Sequence, residues 1–215
     1  MKPLSPVLVP HAFRERDFVG GDSVLDFVNT VTGRNGFPRD WLPNFEALAA
    51  WGGMAGLIGK HRSSMLQKRS QQHPRDAAVA MSSARELREL LYRALLQAVG
   101  GSSPSAADLQ RLHAYWRRAV ERHAFQYRSG SIRPVLLYTE GFDEITDAIV
   151  LQAVHRLGVL STRPLRQCAG GNCAWLFIDS SKAGRRRWCD MATCGNDAKA
   201  KRYLSKRKRA KTSND

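Results

Sequence analysis

All four cysteines of the chain fall within one stretch of twenty-seven residues: Cys168, Cys173, Cys189 and Cys194. They form two close pairs, with four residues between the members of each pair and fifteen between the pairs. Two thiol pairs folded together across such a loop are the usual way to build a tetrahedral thiolate cage for zinc. No histidine follows His155, so the expected ligand set is the four thiolates alone. The spacing within each pair is wider than the common two. An iron–sulfur cluster is the minor alternative, and a redox dithiol a lesser one.

A cage of four thiolates leaves zinc no open position for water, and no glutamate follows Glu144 to act as a base. The His-x-Glu and Pro-Cys-x-x-Cys signature of zinc deaminases is also missing. The expectation is a structural ion in a protein that is not an enzyme. Charge points to a partner. From Arg163 onward fourteen Lys or Arg face four Asp, so this quarter of the chain carries +10 of the total +15. A concentrated basic tail suits a polyanion, because neutralising phosphates releases condensed counterions.

Within the tail, Cys168-Ala169-Gly170-Gly171-Asn172-Cys173 reads as a zinc knuckle. Ala174 to Asp179 and Arg185 to Cys189 read as the two strands of a hairpin, and Cys194-Gly195-Asn196 opens a final helix. Knuckle, hairpin and helix with ligands at both ends make a treble-clef-like module. Arg185, Arg186 and Arg187 are candidate nucleic-acid contacts, although alternation in a strand turns at least one of them inward. Lys199, Arg202 and Lys206 share one helical face, and Lys201, Arg207, Lys208 and Arg209 broaden it.

The preceding residues are mostly helical in pattern. Asp22 or Ser23 caps a helix whose buried face is Val24, Phe27, Val28 and Val31. Asp26 and Asn29 lie on its other side, one turn apart. They are candidates for a polar pocket, against the commoner reading of a local hydrogen-bonding pair. Asn44 caps a short helix ended by Gly52-Gly53, and the polar segment from His61 to His73 reads as exposed. Pro74 suits a first helical position, and an alanine–leucine stripe that crosses Ser82-Ser83 in phase favours one long helix to Gly100-Gly101, with a break at the capping-box-like Ser83 and Glu86 as the alternative. Ser105 opens another helix, and Phe125 to Tyr138 reads as a β-hairpin. Asp143 caps a helix apolar nearly all round. Ser161-Thr162-Arg163-Pro164 reads as a linker, so the expected units are 1–160 and 161–215. No apolar run reaches the roughly 18 residues of a membrane span and no signal pattern opens the chain, so a cytoplasmic location is expected.

Several of these motifs resemble a known family. Cys168 to Cys173, Trp175-Leu176-Phe177, Asp179-Ser180-Ser181, Arg185 to Cys189, Met191 to Asn196 and Lys199 are similar to the CGNR zinc finger. Leu25-Asp26-Phe27-Val28-Asn29-Thr30 is similar to the opening motif of ABATE, the domain that normally precedes that finger. The resemblance implies a bacterial, stress-induced transcription regulator with a zinc-bound, DNA-binding tail. It also implies a mostly helical N-terminal domain that senses a small molecule or forms a homodimer. An RNA-binding or ribosome-associated module and a protein-interaction adaptor are the alternatives. One departure stands out. The family's name motif ends in Arg, whereas Asp197 follows Cys194-Gly195-Asn196 here.

Overall fold

The computed structural model describes residues 5–137, 140–158 and 164–212. Near the N-terminus, β1 (Val7–Leu8), β2 (Val31–Thr32) and β3 (Arg39–Asp40) form a small sheet of order β1-β3-β2. The first strand is parallel to β3 and the second antiparallel. Helix α1 (Ser23–Val28) is capped by Asp22, which accepts from the Leu25 N–H at 2.9 Å. It is shorter than its apolar pattern suggests, because Val31 has already entered β2.

Asn44 caps α2 (Phe45–Met54) by accepting from the Ala47 N–H. Gly52 and Gly53, expected to end that helix, lie inside it. The reason for the first is close approach: a Cβ on Gly52 would come within 2.9 Å of Ile145 Cδ1. The polar segment after it, expected to be exposed, forms a helix, α3 (Lys60–Gln72), which turns Ser63, Leu66 and Ser70 into the interior. Pro74 occupies the first turn of α4 (Pro74–Val99), a single uninterrupted helix of 26 residues. Leu87, Leu90, Leu91 and Leu95 on its inner side are nearly inaccessible, each contributing roughly 1.5–3 kcal/mol of apolar burial.

Ser105 caps α5 (Ala106–Glu121), and the period-two segment forms an antiparallel pair, β4 (His123–Arg128) and β5 (Ser131–Leu136). Tyr138, expected at the end of that hairpin, lies outside the described residues. Helix α6 (Glu144–Gly158) buries Ile145, Ile149, Val150 and Ala153. Its other side is open to solvent at Gln152 and Val154, so it is amphipathic rather than enclosed.

Two ion pairs inside this helical body escape sequence reading. Arg88, 2% exposed on α4, makes a bidentate pair with the Asp40 carboxylate at 2.8 and 2.6 Å and donates to Thr30 Oγ1. Beside it, Arg34 forks onto Glu89 at 2.6 and 3.0 Å and lies 3.9 Å over the Tyr92 ring.

The expected boundary near Leu160 and most of the linker fall in 159–163, outside the described residues. Beyond them, β6 (Leu165–Gln167) pairs antiparallel with β7 (Leu176–Ile178). This corrects the expected hairpin: Arg185–Cys189 is not a strand, and the partner of β7 lies before the knuckle rather than after it. The last helix, α7 (Asn196–Thr212), follows a π-helical turn over Met191–Gly195. Strand alternation makes β7 a shared wall. Phe177 faces a cluster with Cys168, Cys173, Trp175 and Cys189, while Leu176 and Ile178 belong to the same core as α1, α2, α4 and α6.

Candidate metal centre and basic helix

The knuckle is a turn between β6 and β7. Cys168 N–H donates to the Trp175 carbonyl at 2.8 Å and Cys173 N–H to the Gly170 carbonyl at 3.1 Å, closing the loop on itself. A Cβ on Gly170 would lie 3.1 Å from Cys194 Sγ, 3.2 Å from Cys173 Cβ and 3.4 Å from Cys168 Sγ. Gly170 is therefore needed for space, while a Cβ on Gly171 would meet nothing. The second pair arrives by a different route. Ala169 N–H donates to the Arg187 carbonyl, which brings Cys189 alongside the knuckle. Asp190 then accepts from the N–H groups of Ala192 and Thr193 and holds the π-helical turn that carries Cys194.

All four Sγ atoms lie within 4.8 Å of one another. Cys173 to Cys189 and Cys189 to Cys194 are both 3.7 Å. A tetrahedron with zinc–sulfur arms of about 2.3 Å has edges of about 3.8 Å, so the cage already has the dimensions of the ion's shell. Protonation chemistry agrees. Hydrogen bonds from the Cys173 and Cys189 thiols, joined by the Cys189 and Gly170 N–H groups, pull the Cys168 thiol down to about 2. Their bonds to that same sulfur push the Cys173 and Cys189 thiols up, and burial raises Cys194. Without a cation, one thiolate forms readily and the others resist; a dication lets all four ionise.

Asp179 locks the loop that follows β7. Its carboxylate accepts from the Ser181 hydroxyl at 2.6 Å, the Arg186 and Ser181 N–H groups, and Arg166 Nε. The Ser181 hydroxyl, the two N–H donors and Arg166 hold its pKa down to about 2. The three arginines beyond it separate by role. Arg186 turns inward, 4.6 Å over the Phe177 ring, donating to the carbonyls of Trp188 and Cys189. It leaves the set of candidate nucleic-acid contacts, because its guanidinium is engaged in the module itself. Arg185 and Arg187 are exposed. On α7, every residue from Lys199 to Ser205 is exposed, including Lys199, Lys201 and Arg202. Lys206, Arg207, Lys208 and Arg209 belong to the same helix, and their side chains lie outside those described. Asp197, one turn before Lys201, pairs with it at 2.7 Å on the surface.

Asp26 and Asn29 are not brought together around a pocket. Asn29, 1% exposed, treats β7 as a neighbouring strand would: Nδ2 donates to the Leu176 carbonyl at 2.8 Å and Oδ1 accepts from the Leu176 N–H at 2.9 Å. Asp26 accepts from the Gly20 N–H at 2.8 Å, and the Gly20 carbonyl in turn accepts from the Ile178 N–H. Burial, reinforced by the nearby Asp22 charge and opposed by the Gly20 bond, raises the Asp26 carboxyl to about 7. Tyr92 Oη donates to the Ala174 carbonyl and Asn172 Oδ1 accepts from the Phe37 N–H. Apart from the Asp26–Gly20 bond, each of these reaches from the helical body to the cysteine module. Between the two lies a cleft of about 590 Å³ lined by His11, Asp17, Trp41, Asn172, Trp175 and Cys194. His11 stacks flat on Trp41 at 3.8 Å and bonds Asp17 at 2.9 Å.

Comparison with known families accounts for both parts. Residues 164–207 match the model of the CGNR zinc finger, and residues 21–134 match that of ABATE, described as "Putative stress-induced transcription regulator". The chain belongs to the ABATE family. A comparison with curated proteins finds no match. In this ABATE protein Cys168, Cys173, Cys189 and Cys194 are the zinc site of its CGNR finger. Among the described residues no helix is long and apolar enough to cross a membrane. The residues that fix the ABATE body to the finger, Gly20, Tyr92 and Asn172, carry no signal in the sequence, because their partners are main-chain groups far along the chain.

Proposed function

We propose that this ABATE protein is a DNA-binding transcription regulator that reads duplex DNA with α7. One observation carries the reading: a helix of 17 residues is exposed all round from Lys199 to Ser205, yet it starts beside the zinc cage. Such a helix is about 25 Å long and 10–12 Å wide, and the major groove is about 12 Å wide. Lys199 and Arg202 face phosphates along one side, with Arg185 and Arg187 as outlying contacts. Zinc supplies structure, not catalysis, because its four thiolates complete the shell. Asp197 works against the contact, since it offsets Lys201.

Fluorescence anisotropy with duplex DNA at rising salt tests this reading. Binding should weaken with a log–log slope of about −0.9 for each phosphate neutralised. The Lys199→Ala/Arg202→Ala pair should flatten that slope by about 2, and Asp197→Arg should steepen it by about 1 and tighten binding. Tighter binding to structured RNA than to duplex DNA would move the function to RNA. Salt-insensitive or absent binding to both would leave a protein adaptor. Ligand sensing belongs in the cleft at the joint, where a bound molecule touches body and finger together. A small-molecule screen read by tryptophan fluorescence should find ligands whose signal is lost in Trp41→Leu; signals that survive that change would place the site elsewhere.

A further inference from the structure

The four ligands of the cage are not equally protected. Cys168, Cys173 and Cys189 are 3%, 7% and 2% exposed, whereas Cys194 is half-buried. Main-chain donors divide them in a similar way. Cys168 Sγ accepts from the Gly170 and Cys189 N–H groups, both at 3.4 Å, and the Trp175 N–H reaches Cys173. Among the described residues no main-chain N–H bonds Cys194 Sγ. An N–H donor drains charge from a thiolate and blunts it as a nucleophile, and burial keeps reagents away. Cys189 has burial alone; Cys194 has no donor and the least cover. Zinc would hold all four sulfurs as thiolates at neutral pH, so the sulfur left open is the reactive one.

What reaches Cys194 is set by the cleft between body and finger. Cys194 lines this space of about 590 Å³, a size suited to an organic molecule rather than to a peroxide. Its walls include the indoles of Trp41 and Trp175, which meet edge to face at 5.5 Å. Trp175, 8% exposed, has an Nε1–H that donates to no described group, and a carbonyl is the acceptor it lacks. Charge along the cleft is close to balanced. Asp17 and Asp197 are answered by His11 and Lys201, and Asp190 and Arg16 also line it. In a chain of net +15 such a spot gives an anion no preference and an uncharged molecule no penalty. We infer that Cys194 is where an uncharged alkene conjugated to a carbonyl is captured covalently, an assignment that rests on the cleft being the ligand site. The sulfur lone pair forms a bond to the alkene carbon and the π pair moves onto the carbonyl oxygen. The enolate then takes a proton from water, leaving hydroxide to the buffer. The product is a thioether, which no longer supplies zinc with a thiolate. Helix α7 begins two residues later, at Asn196, so the adduct frees its start from the cage.

Treating the full-length, zinc-loaded protein with one equivalent of N-phenylmaleimide tests this, with peptide mass spectrometry locating the adduct and a chromogenic chelator following zinc. The expected result is a first adduct at Cys194, with zinc passing to the chelator in step. An adduct that forms first on another cysteine, or spreads evenly over the four, overturns the inference, as does a Cys194 adduct that leaves zinc binding unchanged. Cys194→His keeps a fourth zinc ligand without the thiol and should slow the reaction by about tenfold or more; a wild-type rate in this variant overturns the assignment. Should it fail to hold zinc, the adduct map of the wild-type protein decides alone. N-(4-carboxyphenyl)maleimide, the anionic analogue, should react no faster, and a faster reaction would overturn the uncharged class. Trp41→Leu should slow capture of N-phenylmaleimide. A first adduct at Cys194 whose rate ignores that change overturns the cleft as the ligand site while keeping Cys194 as the reactive thiolate.

Discussion

Gly170 and Gly171 are adjacent and chemically identical, yet only the first has sulfur atoms where a side chain would go. Gly170→Ala should weaken zinc affinity by about tenfold or more, while Gly171→Ala leaves it near wild type; competition with a chromogenic chelator measures both. Asp26 makes a prediction of its own. Its folded pKa of about 7 stands above the ordinary aspartate value of 3.8, so between those two pH values the folded chain holds a proton that the unfolded chain has released. The stabilisation is complete below about pH 4 and is lost as pH rises through 7, falling by about 1.4 kcal/mol for each pH step of one in that window. Asp26→Asn keeps an acceptor for the Gly20 N–H and removes the charge. It should raise stability at pH 8 and flatten the pH profile between 4 and 7 in urea melts. Both residues show how far a sequence can be read. Spacing exposes the four ligands, because metal chemistry is set by residue type and short intervals. Asp26 and Asn29 are visible as an unusual polar pair, but their partners, Gly20 and Leu176, follow from where a distant strand docks.

Among the elements, α4 and α3 mark the two ends of legibility. The stripe of alanines and leucines in α4 survives Ser82-Ser83 in phase, so its periodicity announces one helix, as observed over Pro74–Val99. Helix α3 has a single buried leucine, Leu66, among lysines, arginines, serines and glutamines. With no stripe to read, its helicity comes from packing beside α2 and is invisible locally. Strand β6 escapes reading for a related cause: three residues are too few to carry a pattern, and the pairing with β7 depends on the turn between them. The Arg88–Asp40 pair ties α4 to β3 across 48 residues of sequence. Arg88→Met, which leaves the 2%-exposed Asp40 carboxylate without its bidentate partner, should cost about 3–5 kcal/mol. Replacing both, with Asp40→Leu, should recover much of that loss; chemical denaturation of the single and double variants separates the two.

At the scale of the molecule, the finger and the helical body share a strand rather than a tether. Removing zinc takes away the tie among the four cysteines on one side of β7 while Leu176 and Ile178 on the other side still close the main core. Chelation should therefore lower the melting temperature of the whole chain, including the α4 core, in one cooperative transition. Two separate transitions, with the body's melting point unmoved, would show the two parts to be independent. The basic helix inherits its orientation from this arrangement, because its first turn begins at the cage and the cage is bolted to α1 through Asn29. A shared strand also sets terms for evolution and engineering. The last fifty residues are not a cartridge that can be clipped onto another protein, since cutting before them would strip the donor of two core side chains and strand Asn29 inside an open groove. Exchange between relatives should succeed only when the recipient already offers that asparagine and the glycine facing Ile178, so the two halves are expected to have travelled through their history as one inheritance.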